Sequence, residues 1–118
     1  MKNLQNNFTT PEQSNRLLEL GVPADSSDFY YDKDEIEIDE ITHPYILPFN
    51  RKFSNYNDMF YLPCWSVCRL MEICKICEPK KDYEQLFEEL QYSKNYCVVT
   101  ISHIIANLPI IDFSKLED

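Results

Sequence analysis

The sequence predicts a small α+β domain, mostly helical with a short acidic β-hairpin. Three observations carry that expectation. Residues 11–20, 63–77 and 82–91 are punctuated amphipathic segments, and residues 29–41 carry an aromatic run and then Ile36 and Ile38 alternating with acids. The third is a hydrophobic content of 44% without any apolar run of the roughly eighteen residues that a membrane span needs. A chain of 118 residues fits one domain, and it buries a core without disulfide or metal staples. The domain is taken as 1–118, with 1–9 as a flexible N-terminus.

The first helix is read at 11–20. Thr10 is the N-cap, Pro11 the first helical residue, and Gln13 completes a capping box. Gly21 suits a left-handed C′ position, which places Val22 at C″ and Leu17 at C3, a pair that commonly touches across that ending. Pro23 forbids continuation. So short a helix is unstable alone in water, so Leu17, Leu18 and Leu20 must dock on the rest of the domain.

"ADSSD" reads as a turn, and "FYYDKDEIEIDEI" as a hairpin around an Asp-Lys-Asp centre, with Ile36 and Ile38 inward and the acids in solvent. Residues 42–61, with Pro44 and Pro48, read as an irregular connection that Tyr45, Phe49, Phe53 and Tyr56 pin to the body. A connection this long is either functional or partly mobile. A helix is then expected from Pro63 to Cys77, ended by Pro79, with Val67, Leu70, Met71, Cys74 and Cys77 as its inward stripe.

Residues 82–91 form the next helix, with Asp82 as cap, Gln85 returning the bond, and Tyr83, Leu86, Phe87 and Leu90 on one face. Residues 95–108 are ambiguous. Their β-branched residues favour strand, while Val98, Ile101, Ile105 and Leu108 repeat at helical spacing, and helix is the reading adopted. One core is expected to hold Leu17, Trp65, Leu70, Leu86, Phe87 and Leu90.

The net charge of −9 and pI near 4.6 oppose general nucleic-acid binding, which needs a basic face. Between Asp25 and Glu40 eight acids face Lys33 alone, a net −7. Arg51 and Lys52, between Phe49 and Phe53, are a basic-aromatic pair of the kind that stacks bases, too small to overcome that field. A single glycine excludes phosphate-cradling loops. No cofactor is expected.

Four of the five cysteines, Cys64, Cys68, Cys74 and Cys77, lie in "LPCWSVCRLMEICKICEP". On a continuous helix the first two point within about 40° of each other, and the last two lie about 80° to 180° away, so one tetrahedral ion cannot collect all four. They are read as reduced core thiols and no metal is expected; a two-thiol site completed by His43 or His103 is the alternative. Cys64, in the expected first helical turn, is the one thiol placed to be reactive, although a structural role is preferred. His43 and His103 read as core or surface histidines, and Trp65 as a core anchor.

"TPEQSNRLLELGVPADSSDFYY", "PCWSVCRLMEI" and "IDFSKLED" together resemble a family of small uncharacterised proteins from prophages and mobile elements of gut anaerobes. The resemblance covers both ends and the middle of the chain. In the family pattern Gly often stands where this chain has Cys68, and members carry a longer stretch before the terminal helix. The resemblance implies a phage or mobile-element context and brings no catalytic residues.

The function expected is a non-enzymatic protein-interaction protein in the bacterial cytoplasm or packaged in a virion. Its partner is expected to be a protein, with neither nucleic acid nor membrane bound directly. Its binding surface is assigned to Asp34, Glu35, Glu37, Asp39, Glu40, Tyr45, Phe49, Phe53 and Tyr56. The alternatives are a nucleic-acid mimic that inhibits a host defence protein, and a small enzyme or metal-binding protein.

Overall fold

Short-range signals decide the first element. The computed structural model describes residues 7–38, 43–48, 51–56, 58–78, 82–91 and 95–116, and within it Pro11–Glu19 forms helix α1. Thr10 Oγ1 accepts from Gln13 N at 3.1 Å while Gln13 Oε1 accepts from Thr10 N at 2.9 Å, so the capping box closes as expected. Gly21 takes φ +98°. Val22 N donates to Leu17 O at 3.0 Å and Gly21 N to Leu18 O at 3.1 Å, the two bonds of a Schellman ending, and both Leu17 and Val22 are buried.

The end of the segment expected to be flexible, 1–9, is fixed in the fold. Residues 1–6 lie outside the described residues, but Thr9 is fully buried. Its N–H donates to Trp65 O at 2.9 Å, its Oγ1 accepts from Trp65 N at 3.1 Å, and its carbonyl accepts from Tyr31 Oη at 2.5 Å. These bonds tie the segment before α1 to the strands.

Three strands form an antiparallel sheet in the order β2-β1-β3: β1 is Phe29–Asp32, β2 Tyr45–Ile46 and β3 Tyr61–Cys64. Tyr30 stands opposite Tyr45 on one side and Pro63 on the other. The acidic hairpin is therefore corrected. Only 29–32 is extended; Lys33–Ile38 is a short helix, α2, and the partners of β1 come from further along the chain. Asp32 Oδ1 accepts from Asp34 N at 2.9 Å, and Asp34 and Glu35 sit in the first turn, where the helix end favours acids. Ile36 packs on the cluster of Tyr31, Leu62 and Cys64, which a helical turn allows as well as a strand.

The start of the next helix is corrected too. Pro63 belongs to β3, and a proline is tolerated there because β3 is an edge strand. Helix α3 runs Val67–Cys77 with Ser66 as N-cap, its Oγ accepting from Arg69 N at 3.1 Å. Helix α4 is Asp82–Gln91 and α5 is Tyr96–Ala106, so the ambiguous run is helical, capped by Asn95 Oδ1 accepting from Val98 N at 3.1 Å.

The face of α5 differs from the expected stripe. Cys97, Thr100, Ile101 and Ile104 are buried, whereas Val98 and Ile105 are exposed at 47% and 40%. A helix apolar on most sides contains several stripes at helical spacing, and packing against α3 and α4 selects one. Leu17, Trp65, Leu70, Leu86 and Leu90 share one core as expected, joined by Ile73, Cys74, Cys77 and Ile104. The side chain of Phe87 lies outside the described residues. Trp65 is fully buried and its indole N–H donates to Ser26 Oγ at 3.0 Å, the polar partner a buried indole needs. The radius of gyration, 14.0 Å, is near the roughly 13.5 Å of a compact chain of this length. No helix among the described residues is long and apolar enough to cross a membrane.

Candidate functional site

Two groups of residues stand out, one on the open face of the sheet and one inside the helical core. Side chains alternate along a strand, so Tyr31 turns to the core and Tyr30 to the opposite face. The ring of Tyr30 lies 5.6 Å from Tyr45, 5.2 Å from Tyr56 in a stacked arrangement, and 5.5 Å from Tyr61 edge-on. Tyr56 and Tyr61 are edge-on at 5.5 Å, so four tyrosines form one patch. Tyr45 Oη reaches both oxygens of the Glu35 carboxylate, at 2.7 and 2.9 Å. That bond holds the Tyr45 hydroxyl above its usual range, and burial among the neighbouring rings does the same for Tyr30, so both stay protonated at neutral pH.

Of the expected surface, the structure gathers Glu35, Tyr45 and Tyr56. Asp34 is exposed on α2, and Phe53 is buried at 4% exposure, so Phe53 is a structural residue rather than a contact. Its inward turn also takes one of the two expected rings away from the Arg51–Lys52 patch. The Glu37 side chain and residues Asp39, Glu40 and Phe49 lie outside the described residues. Sequence reasoning missed Tyr30 and Tyr61. The alternation of Tyr30 with Tyr31 was a usable signal; Tyr61 needed the strand pairing.

The second group is buried. Cys74 and Glu78 are one helical turn apart, with Glu78 as the C-cap of α3, its N–H donating to Cys74 O at 3.1 Å. His103 meets them from α5, and the donor atoms of all three lie within 4.8 Å of one another. His103 Nε2 stands 2.6 Å from Glu78 Oε1, and the side chains are 6% and 0% exposed. The contact is a close ion pair that lacks regular hydrogen-bond alignment, and neither carboxylate oxygen nor Nε2 makes a regular hydrogen bond. Burial, and then the Glu78 carboxylate beside it, hold the Cys74 thiol well above its usual range. That is the opposite of what a nucleophilic thiolate needs.

Among the described residues Cys74 is the one cysteine in such a cluster; Cys64, Cys68 and Cys77 do not join it. Cys64 lies in β3 and not in a helical turn, so the helical angles drawn for the four cysteines apply only to Cys68, Cys74 and Cys77. It is fully buried, and burial pushes its thiol up to about 12, which agrees with the structural role preferred for Cys64 and not with a reactive thiol. His103 is the histidine of the alternative two-thiol site, but its companions are one thiol and Glu78. The signal missed was Glu78, one turn after an inward cysteine. Scans against protein-family models and searches of curated proteins and of solved structures find no match to the chain.

Proposed function

We propose that the protein is a non-enzymatic interaction module whose open sheet face binds a basic, arginine-bearing segment of a partner protein. The observation that carries this reading is the tyrosine patch of Tyr30, Tyr45, Tyr56 and Tyr61, beside which stands the Glu35 carboxylate. Tyrosines offer large, rigid contact area at little entropic cost. A guanidinium stacks on such rings and bonds a carboxylate with its planar fork. The net charge of −9 steers a basic partner toward the molecule. The phage or mobile-element context suggested by the resemblance suits a small acidic protein acting on a host or virion protein in the bacterial cytoplasm.

Mimicry of nucleic acid is less well supported. It relied on Glu35, Glu37 and Asp39 as a row at strand spacing, but residues 33–38 are helical, so the extended spacing on which that row depended is absent there. Fluorescence anisotropy with two labelled peptides of equal charge, one of arginine and one of lysine, tests the choice. The arginine peptide is expected to bind at least about threefold more tightly, and Tyr30→Ala or Tyr45→Ala to weaken it about tenfold. Neutralising Glu35, Glu37 and Asp39 is expected to cost less than about tenfold. Equal binding of both peptides, a steep salt dependence and a larger loss from the acid variant would favour mimicry. Binding of neither peptide sinks the arginine reading.

A further inference from the structure

We propose that Cys74, Glu78 and His103 form a binding site for one zinc ion between α3 and α5. The donor set is a sulfur, a carboxylate and an imidazole, which suits zinc and does not suit calcium or magnesium, whose ligands are oxygens. Donors bound tetrahedrally to zinc at about 2.0 to 2.3 Å stand about 3.3 to 3.8 Å apart. The three donor atoms already lie within 4.8 Å, and the 2.6 Å approach of His103 to Glu78 is the one that must open. Modest side-chain rotations suffice, since each donor needs to shift by roughly 1 Å.

Two further observations point to a cation. The Glu78 carboxylate and His103 Nε2 are buried with no regular hydrogen bond, held only by their mutual 2.6 Å ion-pair contact and the neighbouring Cys74 thiol, a costly arrangement for protein groups alone. Zinc would take Sγ of Cys74, one carboxylate oxygen of Glu78 and Nε2 of His103 as three donors, with the fourth tetrahedral position left to a small exogenous ligand such as water. The charges also cancel: Zn2+ with one thiolate, one carboxylate and a neutral imidazole is a neutral unit, the form that burial tolerates best. On binding, the Cys74 S–H bond breaks, its proton leaves to solvent, and an Sγ–Zn bond forms without any change of oxidation state. The inference reverses the expectation of no metal drawn from cysteine spacing. That expectation asked whether four cysteines converge, whereas here a single cysteine of the motif meets Glu78, also within it, and His103 from α5.

The test uses the full chain, stripped with chelator and titrated with Co2+ and then Zn2+. A thiolate-to-cobalt charge-transfer band saturating at about one equivalent, displaced by zinc, is expected, together with a higher melting temperature in zinc. Cys74→Ser should abolish the band, and Glu78→Gln and His103→Gln should each weaken zinc at least about a hundredfold. Cys68→Ser, at an exposed cysteine, should bind as the parent does. No cobalt band and no zinc-induced shift in the parent protein overturns the proposal, whether or not the variants fold. A band retained in folded Cys74→Ser and lost in Cys68→Ser overturns it equally.

Discussion

The sheet face and the buried cluster each set a carboxylate against a proton donor, one in water and one without it. On the face, Glu35 accepts from Tyr45, whose side chain is 43% exposed, and water completes whatever the pair leaves unbonded. In the cluster, Glu78 and His103 are shut away from water, and a 2.6 Å ion pair is the main contact that each has with the other. The same chemistry therefore has opposite consequences. Exposed, it shapes a surface available to a partner; buried, it is an energetic liability that calls for a compensating ligand.

The largest effect that can break this comparison lies in the cluster. In chelator-treated protein, His103→Ala leaves the Glu78 carboxylate buried and unpaired and is expected to cost about 3 to 5 kcal/mol in urea unfolding. The double variant Glu78→Leu with His103→Leu should cost much less than two such losses, because no buried charge is stranded. A His103→Ala penalty below about 1 kcal/mol would mean that water enters the cluster and that it is not the dry counterpart of the sheet face.

Alkaline pH gives the next effect, and it probes the inner face of the same sheet. Burial pushes the thiols of Cys64 and Cys97 up to about 12 and raises the Tyr31 hydroxyl as well. Each folded-state value lies above the unfolded one, so the unfolded chain loses its protons first. The stabilisation is complete below about pH 9 and is lost as pH rises toward the folded values. Each thiol should lower stability by up to about 1.4 kcal/mol per pH unit over that window. Urea midpoints measured from about pH 8 to 10.5 check this, and a flat profile would contradict it.

Legibility followed the range of the interactions. The cap of α1 was read correctly because Thr10, Pro11, Gln13 and Gly21 act on their own neighbours; Thr10→Ala should cost about 1 kcal/mol by thermal or urea unfolding. The sheet was not readable in the same way. β2 is two residues long, too short for any alternation, and Pro63 is as good a helix starter as it is an edge-strand residue. The acids of 33–38 alternate with isoleucines, a strand pattern that here serves one helical turn, since the partners of β1 are distant in sequence. The cluster was half legible. Cys74 fell on the inward stripe of α3, but acids are rarely fully buried, so nothing local marked Glu78 as its neighbour in the core.

The smallest stability effect sharpens the comparison most. Tyr45→Phe removes the hydroxyl that bonds Glu35 and keeps the ring that packs beside Tyr30. Glu35 then takes water in its place, so the urea midpoint should not move, in contrast to the loss expected when Glu78 is deprived of His103. The peptide-binding assay should respond differently. With the ring retained and the carboxylate freed, arginine binding should be kept or modestly strengthened, whereas Tyr45→Ala weakens it. If Tyr45→Phe weakens binding as much as Tyr45→Ala, the hydroxyl rather than the aromatic surface makes the contact. The face would then act as a hydrogen-bonding site, like the cluster, and the contrast between the two would rest on water alone.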